Sequence, residues 1–155
     1  MLKAIFCRLF YASVPKKTKS YKPSRITVSI NEPEIAARVF RDLWEQDLLL
    51  KQEQVYAIYV DEKNKIIKHV HLHTGGPKRC YIDTYLLFEY AFELKASGFF
   101  VSHSHKREVL EASTNDIKTT SKIRAIAEEL EIRFIDHIII TPKSYFSFSE
   151  ERLLD

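Results

Sequence analysis

Apolar residues recur along the chain with two different periods, and each period predicts one kind of element. Spacings of three and four predict three helices, over residues 31 to about 46, 83–96 and 114–130. The first is expected to have its N-cap at Asn31 and Pro33 early in its first turn. Alternating or continuous apolar runs predict strands. These strands cover residues 25–30, 53–61, 65–73, 99–105, 133–141 and 144–148, and residues 2–12 are expected to add an edge strand.

The order of these elements predicts the fold class. Helices alternate with strands, and the polar turn after Asp61 joins two strands into a hairpin that interrupts the alternation. We therefore expect an α/β (α+β) fold, in which a mixed β-sheet is flanked by helices.

Composition narrows the class of protein without naming a function. The chain has 155 residues, 45% of them hydrophobic and 29% charged, as expected of one globular domain. No apolar run approaches the ~20 residues that span a bilayer, so we expect no membrane segment and a cytoplasmic location. Cys7 and Cys80 are expected to be free thiols in a reducing compartment.

Charge divides the chain into a basic N-terminal arm, residues 1–24, and a domain, residues 25–155. Residues 1–25 hold seven basic residues and no acidic one, so the remainder carries 24 − 7 = 17 basic against 21 acidic residues. Such an arm suggests contact with nucleic acid or an acidic partner, and a solvated tail is the alternative.

One stretch of the sequence predicts a metal site. His103 and His105 end an apolar run two residues apart, so their side chains point to one face at the end of a strand. Ser113 opens the next helical pattern, with Asp116 three residues on, so a carboxylate from the first turn joins the two imidazoles. In the alternative reading the histidines merely end a strand, and Ser113 with Asp116 forms a capping box.

The spacing His-x-His-x7-Ser-x-x-Asp resembles the JAMM motif of the MPN/JAB metalloprotease superfamily. Residues 134–140 (FIDHIII) and 144–154 (SYFSFSEERLL) resemble the ending of its RadC branch. The resemblance covers roughly residues 25–155, and it implies the MPN fold, a layered architecture like that of cytidine deaminases.

The resemblance also assigns roles to individual residues. His103, His105 and Asp116 match the ligands of a zinc ion that lowers the pKa of its bound water to ~7. Ser113 matches the serine that stabilises the tetrahedral oxyanion. Glu53, eight residues before Asp61, matches the glutamate that takes a proton from the water and passes it to the leaving amine. Without the resemblance, Glu53 would be an exposed charge at a strand start, with Glu45 and Asp47 as rival acids.

Other histidines admit two readings. His69, His71 and His73 alternate along one predicted strand, so all three are expected on one side of it. They form either the solvent-exposed face of a half-buried strand or a second metal-binding site. Asp136 and His137 match an Asp-His pair of the family, and we expect a structural or ligand-supporting role for them.

Three functions therefore remain open. The first is a zinc metallopeptidase or isopeptidase acting on a protein or peptide, such as a ubiquitin-like conjugate. The others are a nucleic-acid-binding accessory protein linked to DNA repair, as the RadC name suggests, and a non-catalytic MPN scaffold. Loop 106–112 lacks the Pro and Gly usual in RadC relatives, which puts the fit of a substrate in question, and the sequence leaves substrate and oligomeric state open.

Overall fold

The computed structural model describes residues 29–44, 52–75, 81–105 and 110–154. Within them, three helices and five strands follow one another in the predicted order. The helices are α1 (Pro33–Leu43), α2 (Thr84–Glu93) and α3 (Thr114–Glu129). The strands are β1 (Gln54–Val60), β2 (Ile66–Thr74), β3 (Gly98–Ser104), β4 (Arg133–Ile140) and β5 (Tyr145–Ser147).

The strands form one mixed sheet in the order β2-β1-β3-β4-β5. Strands β1 and β2 form the expected antiparallel hairpin, β1 also pairs antiparallel with β3, and β5 pairs antiparallel with β4. Strands β3 and β4 are parallel, and α3 makes the crossover between them. The predicted fold class, a mixed sheet flanked by helices, is confirmed.

Helices cover the sheet on both faces, which explains why every residue of β1 and β3 is buried. Odd-numbered positions of these strands, such as Val55, Phe99 and Val101, pack with α2 and α3. Even-numbered positions, such as Ile58 and Phe100, pack with α1. α3 is the next element after β3, and its first turn lies beside the carboxyl end of that strand, at the edge where α/β folds commonly bind ligands.

The predicted cap at Asn31 is wrong by one residue. The N-cap of α1 is Glu32, whose backbone carbonyl accepts from the amides of Ile35 and Ala36, and Pro33 is the first helical residue. The side chain of Asn31 instead accepts a hydrogen bond from the Asn64 amide, 3.4 Å away.

Several predictions fall wholly or partly outside the described residues. The basic arm 1–24 with its expected strand, both cysteines, Glu45 and Asp47 all lie there. Of the predicted strand 25–30, Ser29 and Ile30 are described, and Ser29 makes a single bridge to Lys65. None of the helices in the described ranges is long and apolar enough to cross a membrane.

Candidate metal centre

The three predicted ligands converge at the carboxyl end of β3. His103 Nε2 lies 3.0 Å from His105 Nε2, and the carboxylate of Asp116 lies 3.4 Å from the first nitrogen and 3.7 Å from the second. One ligand atom from each residue falls within 4.8 Å of the other two. The cluster could therefore hold a metal ion.

The local sequence explains how the two histidines come together. Residues 103 and 105 project to the same face of β3, and the amide of His105 donates to the Ile140 carbonyl, so the strand geometry continues through the second histidine. His103 is 3% exposed, whereas His105 is half-buried. One imidazole is thus buried in the core, and the other is partly exposed to solvent.

Asp116 is oriented by the helix start that carries it. Its Oδ2 accepts from the backbone amide of Ser113 at 2.9 Å and from the Ser113 hydroxyl at 2.6 Å, and the Asp116 amide approaches Ser113 Oγ at 3.2 Å. These contacts form the capping box, so Ser113 is the N-cap of α3. The capping box uses Oδ2 and leaves Oδ1 directed towards His103. The same side-chain conformation of Asp116 therefore caps the helix and places a carboxylate oxygen at the cluster.

Burial and charge set the protonation of the cluster. Burial alone would raise the pKa of Asp116, but the imidazoles of His105 and His103 and the donors of Ser113 together hold that pKa well below its ordinary value. Burial lowers the pKa of His103 to about 4, with Asp116 opposing and His105 reinforcing the shift. At neutral pH the site offers a carboxylate beside a neutral imidazole, the forms that bind metals.

A second row of buried groups supports His103 from behind. His103 Nδ1 lies 2.8 Å from His137 Nε2, and His137 Nδ1 lies 2.6 Å from Thr120 Oγ1. Thr120 Oγ1 in turn donates to the backbone carbonyl of Asp116 at 2.7 Å. The ligand-supporting role expected for His137 is consistent with these contacts. Thr120 was missed, although its place one helical turn after Asp116 was a signal that it shares that face.

Asp136, the neighbour of His137, serves the other face of β4. Its carboxylate accepts from the Ser147 hydroxyl at 2.5 Å and from the amide and hydroxyl of Ser149, each at 3.0 Å. Asp136 therefore fastens the segment after β5 to β4, in keeping with the structural role expected of it.

Glu53 lies one residue before β1, the strand that pairs with the histidine-bearing strand β3. In the β1–β3 ladder Val55 pairs with His103, so continuing the pairing two residues further brings Glu53 opposite His105. Glu53 is half-buried, and its carbonyl accepts from the Gly75 amide at 2.7 Å. This register directs Glu53 towards the end of β3 that carries the cluster, and its role as general base stays a prediction.

The three alternating histidines of β2 do not share one face. His71 pairs with Tyr56 and His73 with Val55, so a β-bulge lies between the two histidines. The extra residue breaks the alternation on which the prediction rested. His73 pairs with a position on the metal-site face, whereas His71 contacts the Tyr56 ring on the α1 face, with ring centroids 4.7 Å apart. Among the described residues, the cluster at the end of β3 is the one group with converging ligand atoms.

Fold and site together define a class: an α/β domain in which a strand end and the following helix assemble a His-His-Asp cluster. A family model described as the RadC-like JAB domain matches residues 30–153. The chain belongs to this family, as the motif resemblance indicated.

Curated relatives agree with this assignment. A UPF0758 protein of Streptococcus thermophilus is 31% identical over 137 residues, which are 88% of this chain and 58% of the relative. A UPF0758 protein of Haemophilus ducreyi is 30% identical over 138 residues, 87% of this chain and 60% of the relative. The chain thus spans about three fifths of the length of these relatives.

Proposed function

We propose that this domain is a zinc-dependent hydrolase that cleaves amide or isopeptide bonds in a protein or peptide substrate. The observation that carries the proposal is the convergence of His103 Nε2, His105 Nε2 and the Asp116 carboxylate at the carboxyl end of β3.

The donor set suits zinc. Two imidazoles and one carboxylate are a ligand set of catalytic zinc sites, which keep a fourth position open. Ligands about 2.0–2.1 Å from a tetrahedral ion lie roughly 3.3 Å apart. Here the two Nε2 atoms lie 3.0 Å apart, Asp116 Oδ1 lies 3.4 Å from His103 Nε2, and the other oxygen, Oδ2, lies 3.7 Å from His105 Nε2. When bound, zinc would supply the Lewis acidity that makes water a nucleophile at neutral pH.

The residues around the cluster would handle the protons. Continuing the β1–β3 register would bring Glu53 opposite His105, and from there Glu53 would accept a proton from the attacking water and deliver it to the leaving amine. Ser113 has a first task in holding Asp116, because its hydroxyl donates to that carboxylate. Stabilising an oxyanion, the role that the family resemblance implies, would require the hydroxyl to turn away from Asp116.

Metal content tests the first half of the proposal. Protein purified without a histidine tag or chelator is expected to hold about one zinc per chain by elemental analysis, and the double variant His103→Ala/His105→Ala is expected to hold none. A wild-type protein that takes up no zinc even when zinc is added would contradict the proposal and favour a non-catalytic scaffold.

Catalysis tests the second half. Zinc-loaded protein would be screened against ubiquitin-like and peptide amides, and Glu53→Gln is expected to abolish cleavage of a responsive substrate while keeping the metal. Glu62→Gln is the matched control, since Glu62 is an exposed carboxylate at the other end of β1. Equal rates for Glu53→Gln and wild type would remove Glu53 from the mechanism.

The basic arm favours a second candidate, a nucleic-acid-binding accessory protein of the cytoplasm. Its support is the seven basic and zero acidic residues of positions 1–25. Phosphate contacts would make DNA binding weaken steeply with salt and on removal of residues 1–25. Absent or salt-insensitive binding would exclude this candidate.

A further inference from the structure

A chain of three short contacts leads from the candidate metal site back to the helix that carries Asp116. It runs from His103 Nδ1 to His137 Nε2, from His137 Nδ1 to Thr120 Oγ1, and from Thr120 Oγ1 to the Asp116 carbonyl oxygen, at 2.8, 2.6 and 2.7 Å. His103, His137 and Thr120 are each at most 3% exposed, so water does not compete for these bonds.

The contact between Thr120 and the Asp116 carbonyl determines which atom is the donor in each of these hydrogen bonds. A carbonyl oxygen carries no proton, so the Thr120 hydroxyl must donate to Asp116. Having used its one proton, that hydroxyl can only accept from His137, whose Nδ1 must therefore be protonated. His137 is fully buried, and its two ring nitrogens contact Thr120 and His103 rather than a carboxylate, so the ring keeps a single proton and its Nε2 carries a lone pair.

The same reasoning applies one residue further. Because His137 Nε2 is an acceptor, His103 must donate to it from Nδ1. With Nδ1 engaged by His137, Nε2 is the ring nitrogen of His103 that is directed at the point where His105 and Asp116 converge. A neutral histidine in water favours the opposite tautomer, with the proton on Nε2, and that form would present a proton to a metal.

We propose that Thr120 and His137 are positioning residues that hold His103 in the Nδ1–H tautomer, and so make its Nε2 a ready metal ligand. Partners of this kind commonly change metal affinity by 10–100-fold. The tautomer follows from the hydrogen bonds and from the burial of His137, while its use in metal binding rests on the proposed function.

The end of the chain keeps His137 in place. The ring of Phe148 stacks on the ring of His137, with centroids 4.7 Å apart and planes 11° from parallel. The Phe148 amide donates to the His137 carbonyl at 3.0 Å. Asp136 accepts hydrogen bonds from Ser147 and Ser149, the residues on either side of Phe148. Asp136 therefore holds in place the segment whose Phe148 ring packs against its neighbour His137.

The test compares two substitutions of one hydroxyl. Thr120→Val keeps the shape of the side chain but removes the donor and the acceptor, whereas Thr120→Ser keeps both. Ser121→Ala is the matched control, because the Ser121 hydroxyl makes the same bond to a carbonyl four residues back, that of Ile117 at 2.9 Å, without a histidine beyond it.

Two readouts are required on folded, metal-free protein. The ¹⁵N chemical shifts of the histidine rings report the tautomer, and competition with a chelator reports the Kd for zinc. We expect His103 to be protonated on Nδ1 in wild type, Thr120→Ser and Ser121→Ala. In Thr120→Val we expect that preference to be lost and the Kd to rise at least about 10-fold.

The two hypotheses fail in different ways. Two results would overturn the positioning role of Thr120 and His137 even if zinc binds. One is wild-type His103 protonated on Nε2, and the other is a Thr120→Val variant with unchanged tautomer and unchanged Kd. A wild-type protein that has the Nδ1–H tautomer but binds no zinc would support the assigned tautomer and would overturn only the proposed function.

Discussion

His103 and His105 leave one strand two residues apart, yet their surroundings differ. His103 is sealed in the core and hydrogen-bonded to His137, while the side chain of His105 keeps 18% of its surface exposed. Two histidines on one face of the same strand therefore have different surroundings, since one is part of the core and the other is partly exposed to solvent.

This difference predicts unequal stability effects in the absence of metal. His103→Ala leaves His137 Nε2 buried without its partner, which typically costs about 1–3 kcal/mol, and it also opens a cavity. His105→Ala should reduce the free energy of unfolding by less. Urea unfolding of chelator-treated variants measures the two values, and equal losses would contradict the asymmetry.

A second prediction at this scale separates the two roles of Ser113. Ser113→Ala removes the N-cap of α3 and should cost about 1 kcal/mol. Asn is also a good N-cap, so Ser113→Asn should keep most of that stability while lacking the hydroxyl. If the Asn variant is stable and holds zinc but cleaves a responsive substrate poorly, the hydroxyl acts in the reaction. If it cleaves normally, Ser113 acts only as the cap.

The sequence predicted the residues of the site whose relation is local. His103 and His105 share a face because of strand periodicity, and Ser113 with Asp116 obeys helix capping. The partnership of Thr120 with His137 spans 17 residues and depends on how α3 packs on β4. No periodicity encodes such a contact, so it became visible only in the fold.

At the scale of elements, one buried hydroxyl ties the sheet to a helix. Tyr59 of β1 is fully buried, and its hydroxyl donates to the Leu87 carbonyl of α2 at 2.8 Å. Burial, reinforced by Tyr90, raises the pKa of Tyr59 far above its ordinary value of 10. The neutral form is therefore strongly favoured in the folded state.

This shift predicts a pH dependence with a definite sign. Above pH 10 the unfolded chain releases the Tyr59 proton while the folded chain keeps it, so the free energy of unfolding falls as pH rises, by up to about 1.4 kcal/mol per unit. Tyr59→Phe should cost about 1 kcal/mol below pH 10. That advantage of wild type should shrink between pH 10 and 11, and a constant difference in urea unfolding would contradict the burial effect.

Element boundaries followed from periodicity and caps, and the deviations have local causes. Strands β1, β3 and β4 and helices α2 and α3 lie within a few residues of their predicted limits. The bulge in β2 was not predicted, because an alternating sequence gives no sign of an inserted residue. As a consequence, His73 pairs with an odd-numbered position of β1, whereas His69 and His71 pair with even-numbered positions.

At the scale of the whole molecule, the candidate ligands come from two different elements of the fold. His103 and His105 belong to the end of β3, and Asp116 belongs to the first turn of α3. Residues 106–109 between them lie outside the described ranges. A metal ion bound by all three side chains would fasten the crossover helix to the centre of the sheet.

Zinc binding should therefore be measurable as folding stability. A ligand that binds the folded state alone raises the free energy of unfolding by about 2.7 kcal/mol when its free concentration is 100 times Kd. We expect that gain in urea unfolding at buffered zinc for wild type. Asp116→Asn weakens the only ligand that belongs to the helix and should lose most of the gain, whereas Asn115→Ala, an exposed neighbour in the same turn, should retain it. An equal gain in the Asp116→Asn variant would mean that Asp116 is not a zinc ligand, and that zinc does not join the strand to the helix.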